Sequence, residues 1–239
     1  MIASISIISP SSAFRLARGA IISSSTRSMS MSAGKCYFVG TPIGNLGDMS
    51  ARAVEILRSV DVIAAEDTRH TLNLLRHFEV DLSDKKLVAH HEHNHRESVP
   101  GLISLLRRGE SLAVVSDAGT PGISDPGTEL AAACAKEGIS AHPIPGPSAL
   151  IAALSVSGFN SSPFTFFGFI PAKGKARKTR MADIESTSHV AALYEAPHRM
   201  LDTLRDLAAL DEGRGADRAC VCARELTKLH EEIRHSTGT

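Results

Sequence analysis

The stretch SLAVVSDAGTPGISDPGTELAAACAKEG occupies residues 111–138 and contains three patterns in succession. Its first residues, Ser111–Ser116, form the short apolar run that is typical of a buried strand. Glycines and prolines recur from residue 117 to 127, and Thr128–Lys136 has the spacing of a helix that Gly138 is placed to end. The stretch therefore predicts a strand, a long loop at its carboxyl end, and a helix.

The same alternation continues on both sides of this unit. Four further strands are predicted at Cys36–Thr41, Asp61–Ala65, Lys86–His90 and His142–Ile144. The accompanying helices are predicted at Ser50–Ser59, Thr68–Phe78, Ser98–Arg108 and Ser148–Ser155. Such alternation favours an α/β fold with a mostly parallel sheet covered on both faces. Ligands of these sheets bind beyond the carboxyl ends of the strands.

The segment GFNSSP, Gly158–Pro163, interrupts the pattern, which then begins again. Strands are predicted at Phe164–Phe169, His189–Tyr194 and Ala219–Ala223, with helices near Arg180–Glu185 and Arg199–Leu210. We therefore predict a domain boundary near residues 157–163. It divides the chain into a leader, residues 1–34, an N-terminal α/β domain, residues 35–157, and a C-terminal α/β domain, residues 158–239.

The composition of the 239 residues excludes some classes of protein. Lys and Arg number 26, as do Asp and Glu, so the formal net charge is zero and the chain is no polycation. No apolar run reaches the roughly 18 residues of a membrane helix, so we expect a soluble protein without a membrane partner. Aromatic residues make up only 4% and Trp is absent, which argues against a broad base-stacking platform.

The leader differs in composition from the rest of the chain. It contains eleven serines and three arginines, and the first acidic residue is Asp48. An Arg- and Ser-rich leader without acids is typical of an organelle transit peptide, so we expect the chloroplast, with the mitochondrion as the alternative. Other interpretations are a tail without a targeting role, or a start codon upstream of the true one at Met29 or Met31.

Three loops rich in glycine and proline follow predicted strands of the N-terminal domain. They are GTPIGNLGD at 40–48, SDAGTPGISDPG at 116–127 and PIPGPSA at 143–149. Their glycines leave backbone N–H groups free to approach a ligand, although none has the GxGxxG or P-loop pattern. Each alone is compatible with a plain turn, but three at one edge of a parallel sheet are expected to converge on one crevice.

The loops indicate the kind of ligand. A nucleoside triphosphate needs a lysine or a metal clamp, which these loops lack. Backbone amides and fixed carboxylates suit a ligand of mixed charge, with a carboxylate, an ammonium group and a ribose. S-adenosylmethionine has this set of groups, and Asp117 can accept a hydrogen bond from its ribose or amino group.

Seven segments resemble, in the same order, those of one known family. They are GTPIGNLGD (40–48), AEDTRHT (65–71), SDAGTPGISDPG (116–127), PGPSA (145–149), FGFIPAKGKAR (167–177), YEAPHRM (194–200) and ARELTKLHEE (223–232). The family is the small-subunit (16S-type) ribosomal RNA methyltransferase I family of the tetrapyrrole-methylase superfamily, and the similarity extends over residues 36–235.

The resemblance implies a fold and an activity. The fold is the two-domain class III methyltransferase fold, with a mostly parallel first sheet, a mixed second sheet and S-adenosylmethionine bound between the domains. The activity is 2′-O-methylation of a cytidine ribose in small-subunit rRNA, or in the small ribosomal subunit, by a homodimer. The family extends some tens of residues past ARELTKLHEE, so we expect a truncated C-terminal domain. The leader is absent from bacterial members, which favours an organellar ribosome.

The donor site is expected to include all three loops and the YEAPHRM segment. Its residues are Pro42, Gly44, Asp117, Ala118, Gly119, Ser148, Ala149, Tyr194 and Ala196. Ser148 is also placed to cap the following helix, whose first amides can face the donor carboxylate. The alternative for Tyr194 is packing in the core.

Methyl transfer to a ribose hydroxyl calls for positioning and a general base. Glu66 and Asp67 end the second predicted strand, so one is a candidate base and the other an orienting group, and Arg69 is suited to hold a phosphate. The alternative is that Asp67 caps a helix and pairs with Arg69. Rival candidates, which the sequence does not rank, are Glu195, His198, Glu225 and Lys228.

Two further segments are rich in His or in cations. In HHEHNH, His90–His95, an extended backbone puts His91, His93 and His95 on one face, but no zinc spacing is present and the family implies no metal, so we predict none. RNA or active-site contact and a solvated loop are the alternatives there.

Five cations lie within eight residues: Lys173, Lys175, Arg177, Lys178 and Arg180. They adjoin a cluster of phenylalanines at the predicted domain junction, which favours binding of RNA phosphates over a merely solvated helix face. Such a run argues against a small tetrapyrrole as substrate. A tetrapyrrole methyltransferase and a non-catalytic RNA-binding ribosome-assembly factor remain the alternative functions.

Overall fold

A computed structural model describes residues 33–210 and 218–236. Its largest sheet has five strands, all paired in parallel, in the order β3-β2-β4-β1-β5. The strands are β1 (Cys36–Val39), β2 (Val62–Ala65), β3 (Lys86–Ala89), β4 (Leu112–Val115) and β5 (Ala141–Ile144). The predicted mostly parallel sheet is thus confirmed, and each strand lies within, or one residue beyond, its predicted bounds.

Helices cover both faces of this sheet. They are α1 (Ala51–Ser59), α2 (Thr68–His77), α3 (His95–Arg107) and α4 (Thr128–Glu137), and a fifth helix, α5 (Ala149–Val156), follows β5. Successive side chains of a strand point to opposite faces. Val62 and Ala64 of β2 therefore pack with residues of α3 and α4, whereas Ile63 and Ala65 pack with residues of α1 and α2. All four β2 side chains are fully buried, so this strand joins the two halves of the core.

Helix α3 begins three residues before its predicted start at Ser98. The Asn94 side chain holds the turn that precedes the helix, because its amide nitrogen donates to the Ala89 carbonyl at 3.0 Å and its Oδ1 accepts from the His91 N–H at 2.8 Å. Residues 91–94 therefore do not have the extended backbone that would put His91, His93 and His95 on one face.

The second half of the chain contains two smaller sheets. Strands β6 (Phe164–Phe169) and β7 (Val190–Tyr194) pair in parallel, and β8 (Cys220–Arg224) and β9 (Glu232–Ser236) pair antiparallel. Both kinds of pairing occur, as a mixed sheet implies, but the two pairs are hydrogen-bonded separately. Helices α6 (Gly174–Ser186) and α7 (Met200–Ala208) complete this half, whose core contains Ile170, Met181 and Ile184.

The predicted domain division at residues 157–163 stays a prediction, and most of the predicted leader lies outside the described residues. Strand β9 was not predicted, because Ile233 is the only strongly apolar residue in its sequence EIRHS. Backbone pairing with β8 over five residue pairs holds it. Within residues 33–210 and 218–236, no helix is both long enough and apolar enough to span a membrane.

Candidate active site

The three glycine-rich loops meet beyond the carboxyl ends of β4, β1 and β5, which are neighbours in the sheet. Thr41 and Gly119 exchange two backbone hydrogen bonds, at 2.8 and 3.0 Å, which joins the first loop to the second. The Thr41 hydroxyl also donates to the Ser116 carbonyl at 3.1 Å, and the Thr120 hydroxyl donates to the Pro147 carbonyl of the third loop at 3.4 Å. The loops therefore form one continuous structure.

Two glycines allow the first and third loops to touch through their main chains. A Cβ added at Gly40 would lie 2.8 Å from the Gly146 Cα, and one added at Gly146 would lie 2.8 Å from the Gly40 carbonyl oxygen. Neither position has room for a side chain while the loops keep this spacing. The glycines thus set the separation of the two loops.

A cavity of about 430 Å³ opens beside this junction. Its lining residues are Ile43 and Asp48 of the first loop, Pro147, Ser148 and Ala152 of the third loop and α5, and Leu226, Thr227 and Glu231. The last three belong to the segment between β8 and β9, which we call the hairpin loop (225–231). It touches the first loop, because the Thr227 hydroxyl donates to the Asp48 carboxylate and the Lys228 side chain lies over Gly44.

The predicted donor residues divide between this cavity and its surroundings. Ser148 lines the cavity, Gly44 and Ala118 are exposed beside the loop junction, and Pro42 and Gly119 are buried within it. Ser148 also caps α5, since its Oγ accepts from the Ile151 N–H at 3.5 Å. Both predicted roles are thus compatible for this side chain.

The predicted use of the α5 amides for a donor carboxylate needs correction. The Leu150 N–H donates to the Tyr194 hydroxyl at 3.2 Å, and the Ile151 N–H donates to the Ser148 side chain. Two of the first three amides of the helix, which begins at Ala149, are therefore already satisfied. Tyr194 is half-buried, its ring centroid lies 5.0 Å from that of Phe166, and it still has its phenolic hydrogen to donate near α5.

Carboxylates gather at the ends of β2 and β4. The Asp117 N–H donates to the Glu66 carboxylate and the Asp67 N–H donates to the Asp117 carboxylate, each at 3.1 Å. This reciprocal pair ties the second strand to the second loop. The structure thus brings Glu66, a predicted catalytic residue, next to Asp117, a residue predicted to bind the methyl donor.

Asp67 and Arg69 form the local pair given above as the alternative. The Asp67 carboxylate caps α2 by accepting from the Arg69 N–H at 2.8 Å, and it accepts from the Arg69 guanidinium at 2.6 Å. The Arg69 side chain and backbone hold the pKa of Asp67 well below its usual range. Asp67 is therefore a poor proton acceptor, which corrects its candidacy as a base. The Arg69 side chain is 89% exposed and faces solvent.

Asp125 is a further carboxylate near Glu66 and Asp117, and it was not among the predicted site residues. It is half-buried, and burial, with the charges of Glu66 and Asp117, raises its pKa to about 7. Burial also raises the pKa of Tyr194, and the Asp125 charge adds to that effect. The signal in the sequence was a second carboxylate in the 116–127 loop, but SDPG is also an ordinary turn sequence.

Glu195 is not available as a base. Its side chain is fully buried, and its carboxylate accepts hydrogen bonds from the Thr203 hydroxyl at 2.6 Å and the Ala196 N–H at 2.8 Å. It also forms an ion pair with the Arg199 guanidinium at 2.5 Å. The Ala196 N–H is therefore engaged within the protein and is not free to bind the methyl donor. Of the other rivals, His198 is exposed in a 3₁₀ turn, and Glu225 and Lys228 pair with each other in the hairpin loop.

The basic run lies on a helix, since α6 begins at Gly174 and not near Arg180. Its two arginines turn toward the protein. Arg177 is 13% exposed and donates hydrogen bonds to Asp206 and Thr203. Arg180 donates to the Phe167 carbonyl and stacks over the Phe167 ring. Both arginines are therefore engaged within the protein, and RNA binding stays a prediction for the three lysines of the run. We call these three the exposed lysines of α6: Lys173, which directly precedes the helix, Lys175 and Lys178.

The His segment is divided by the turn before α3. His90 is buried and its Nδ1 lies 2.9 Å from the Ser98 hydroxyl, whereas the His95 Nδ1 contacts the Glu92 carbonyl. Among the described residues, no three His, Cys, Asp or Glu side chains are grouped so as to hold a metal ion.

Comparison with known proteins places the chain in a family. Residues 35–239 match the family model of the tetrapyrrole (corrin/porphyrin) methylases. The chain is 48% identical over 204 residues to "Ribosomal RNA small subunit methyltransferase I" of Synechocystis sp., covering 85% of this chain and 71% of that protein. The identity to the protein of the same name from Xylella fastidiosa is 51%, covering 85% and 72%.

A solved structure shares the fold at much lower identity. The crystal structure of diphthine synthase superposes with a TM-score of 0.64 at 16% identity, covering 85% of this chain and 82% of that one. This agrees with the predicted class III methyltransferase fold. The chain belongs to the tetrapyrrole methylase family and, within it, to the ribosomal RNA small subunit methyltransferase I group.

Proposed function

We propose that the protein transfers a methyl group from S-adenosylmethionine to the 2′-hydroxyl of a cytidine ribose in the small-subunit rRNA of an organelle. Membership of the family supports the proposal, as do relatives that carry the name of an rRNA methyltransferase. The single observation that carries it is the loop junction, at which three glycine-rich loops meet beside the carboxylates Glu66 and Asp117. That edge of a parallel sheet is where ligands bind.

The cavity fits a donor of mixed charge. Its volume of about 430 Å³ is in the range of small-molecule sites. Asp48 and Glu231 on its wall suit the ammonium group and ribose hydroxyls, and Ile43 and Leu226 suit the adenine. Lys228, whose stem lies over Gly44 and whose ammonium group pairs with Glu225, suits the donor carboxylate. The bound donor supplies a methyl group activated on a sulfonium.

The exposed lysines of α6 are proposed to hold the RNA. They carry three positive charges without ion-pair partners among the described residues, so phosphates can bind them directly. Contacts of this kind position the RNA and do not read its sequence. Selection of one cytidine is therefore assigned to the shape of the rRNA and to the pocket that receives the nucleotide.

The proposed setting is the chloroplast, with the mitochondrion as the alternative, and the proposed active form is a homodimer. The composition of residues 1–34 supports an organelle. A fusion of residues 1–34 to a fluorescent protein is expected to enter plastids. Mitochondrial fluorescence alone would select the alternative, and cytosolic fluorescence would refute an organellar leader.

Methyl transfer to isolated small ribosomal subunits tests the function. With isotope-labelled donor, the full chain is expected to label one nucleotide, and the RNA at that position is expected to resist alkaline cleavage because its 2′-oxygen is blocked. Label in a base, or in an added tetrapyrrole alone, would refute the proposal. Donor binding by calorimetry without any labelling would favour the ribosome-assembly factor.

A further inference from the structure

The exposed residues of α2 are two arginines, two histidines and one asparagine. They are Arg69, His70, Asn73, Arg76 and His77, and we call them the α2 stripe. At 3.6 residues per turn, these five positions lie within about 120° of the helix circumference. The stripe is therefore one continuous face of hydrogen-bond donors in contact with solvent.

The opposite face of α2 is packed against the protein. Thr71 and Leu75 are buried, and Leu75 belongs to the same core cluster as Ala53 and Leu57 of α1. A basic amphipathic helix that binds a membrane buries its apolar face in the lipid. Because the core already covers this face of α2, the stripe does not suit a membrane surface.

The α2 stripe contains no acidic residue. The other described α-helices that carry Lys or Arg carry acids as well: Glu55 in α1, Glu97 in α3, Glu129 in α4, Asp183 in α6 and Asp202 in α7. Mixed charges of that kind are typical of a solvated helix face. The stripe differs from them and is complementary to an anionic partner.

Both arginines of the stripe have N–H groups to donate. The Arg76 side chain has no ion pair and no hydrogen bond within residues 33–210 and 218–236. Arg69 binds the Asp67 carboxylate through Nε and Nη2, at 3.1 and 2.6 Å, and its Nη1 has no acceptor in the described part of the chain. Seven residues separate the two arginines, or about 10 Å along the helix axis, so each can contact its own phosphate.

The stripe starts at the edge of the sheet where the glycine-rich loops meet. The Asp67 N–H donates to the Asp117 carboxylate at 3.1 Å, and α2 begins at the next residue, Thr68. A polyanion bound along the stripe therefore extends to Glu66 and Asp117 beside the loop junction.

We infer that the α2 stripe binds the phosphate backbone of the substrate rRNA, an inference that rests on the proposed function. The arginines contact phosphates, and Asn73, between them on the same face, donates to a phosphate or sugar oxygen. The stripe is a second RNA-binding surface, since the exposed lysines of α6 belong to the other half of the chain.

The test measures the salt dependence of binding to protein-free small-subunit rRNA by filter binding. The full chain carrying both Arg69→Gln and Arg76→Gln is expected to lose about 1.4–1.8 from the slope of log K against log salt, because each phosphate contact contributes about 0.7–0.9. Donor affinity in calorimetry is expected to stay unchanged. The double variant with lysine at both positions keeps the two charges and is expected to keep the slope.

The matched control combines Arg107→Gln with Arg108→Gln, which makes the same change in net charge. These side chains are 61% and 59% exposed and lie at the end of α3, shortly before β4 begins, so they are at the opposite edge of the sheet. The control is expected to bind rRNA with the wild-type slope. Circular dichroism is expected to show both glutamine variants folded, because the substituted side chains are exposed.

Three results would overturn the inference. The first is a wild-type slope for the glutamine variant of α2, and the second is an equal loss in the control. The third is weaker binding to whole small subunits with unchanged binding to protein-free rRNA, which would assign the stripe to a protein of the subunit. In each case the wild type still methylates RNA and the proposed function stands, whereas a wild type that neither binds nor methylates rRNA would refute both.

Discussion

Replacement of Glu195 by Ala tests whether the buried charge network of the second half is structural. The carboxylate is fully buried, accepts hydrogen bonds at 2.6 and 2.8 Å and forms an ion pair with Arg199 at 2.5 Å, while Arg177 approaches it at 3.8 Å. Its removal leaves the Thr203 hydroxyl without its acceptor and two guanidinium groups without their shared anion. Breaking a buried pair in this way costs about 3–5 kcal/mol. Because Arg177 and Arg199 are 13% and 25% exposed and gain some hydration, we expect the lower end, about 3 kcal/mol.

Urea unfolding followed by circular dichroism measures this loss. With a slope of about 1–3 kcal/mol per molar urea, a loss of about 3 kcal/mol lowers the midpoint by at least about 1 M. Asp202→Ala on α7 is the matched control, since its pair with Arg205 has side chains 75% and 69% exposed and is worth under about 1 kcal/mol. Equal midpoints for the two variants would refute the structural assignment. A stable Glu195→Ala variant without methyl transfer would return Glu195 to the list of candidate bases.

Three further predictions concern RNA, the loops and pH. Alanine at all three exposed lysines of α6 is expected to weaken rRNA binding and reduce its salt dependence, with donor binding unchanged in calorimetry; equal loss of both would contradict their assignment. Gly146→Ala forces the first and third loops apart, so thermal unfolding should reveal a loss of about 1–3 kcal/mol together with weaker donor binding. The control is Gly101→Ala in α3, where an added Cβ has no atom within 4 Å and stability should be unchanged or increased. Similar losses of stability in Gly146→Ala and Gly101→Ala would refute the steric argument. Ser111 donates to the Asp61 carboxylate through its hydroxyl and N–H and lowers the pKa of Asp61 from its ordinary value. Asp61→Asn should therefore cost about 1 kcal/mol or less at pH 7, and urea midpoints should converge with the wild type as pH falls below about 4; a constant difference would contradict this.

The order of strands and helices was predictable because it depends on local patterns. The runs in Leu112–Val115 and Val62–Ala65 are apolar throughout, as a strand buried on both faces requires. The convergence of the three glycine-rich loops was predictable as well, because the carboxyl ends of parallel strands lie at one edge of the sheet. Strand β9 was not predictable in this way, because backbone pairing with β8 places it and its side chains carry little pattern.

The roles of charged residues were harder to predict, because they depend on partners distant in sequence. Arg177 and Lys178 are adjacent, yet Arg177 binds Asp206 of α7 and Lys178 is exposed. The two residues differ because they lie on different sides of α6. A helix predicted to begin near Arg180 does not include them and therefore does not show on which side each one lies. The raised pKa of Asp125 likewise depends on Glu66, which is 59 residues earlier in the chain.

The main-chain contact of Gly40 with Gly146 has a consequence for redesign of the cavity. The contact fixes the separation of the first and third loops, which contribute Ile43 and Pro147 to the cavity wall, through backbone atoms. The hairpin loop contributes Leu226, Thr227 and Glu231 to the same wall, and side-chain substitutions can shorten these residues. Variants intended to accept donor analogues with bulkier transferable groups should therefore be sought in residues 225–231, with the glycine pair left intact.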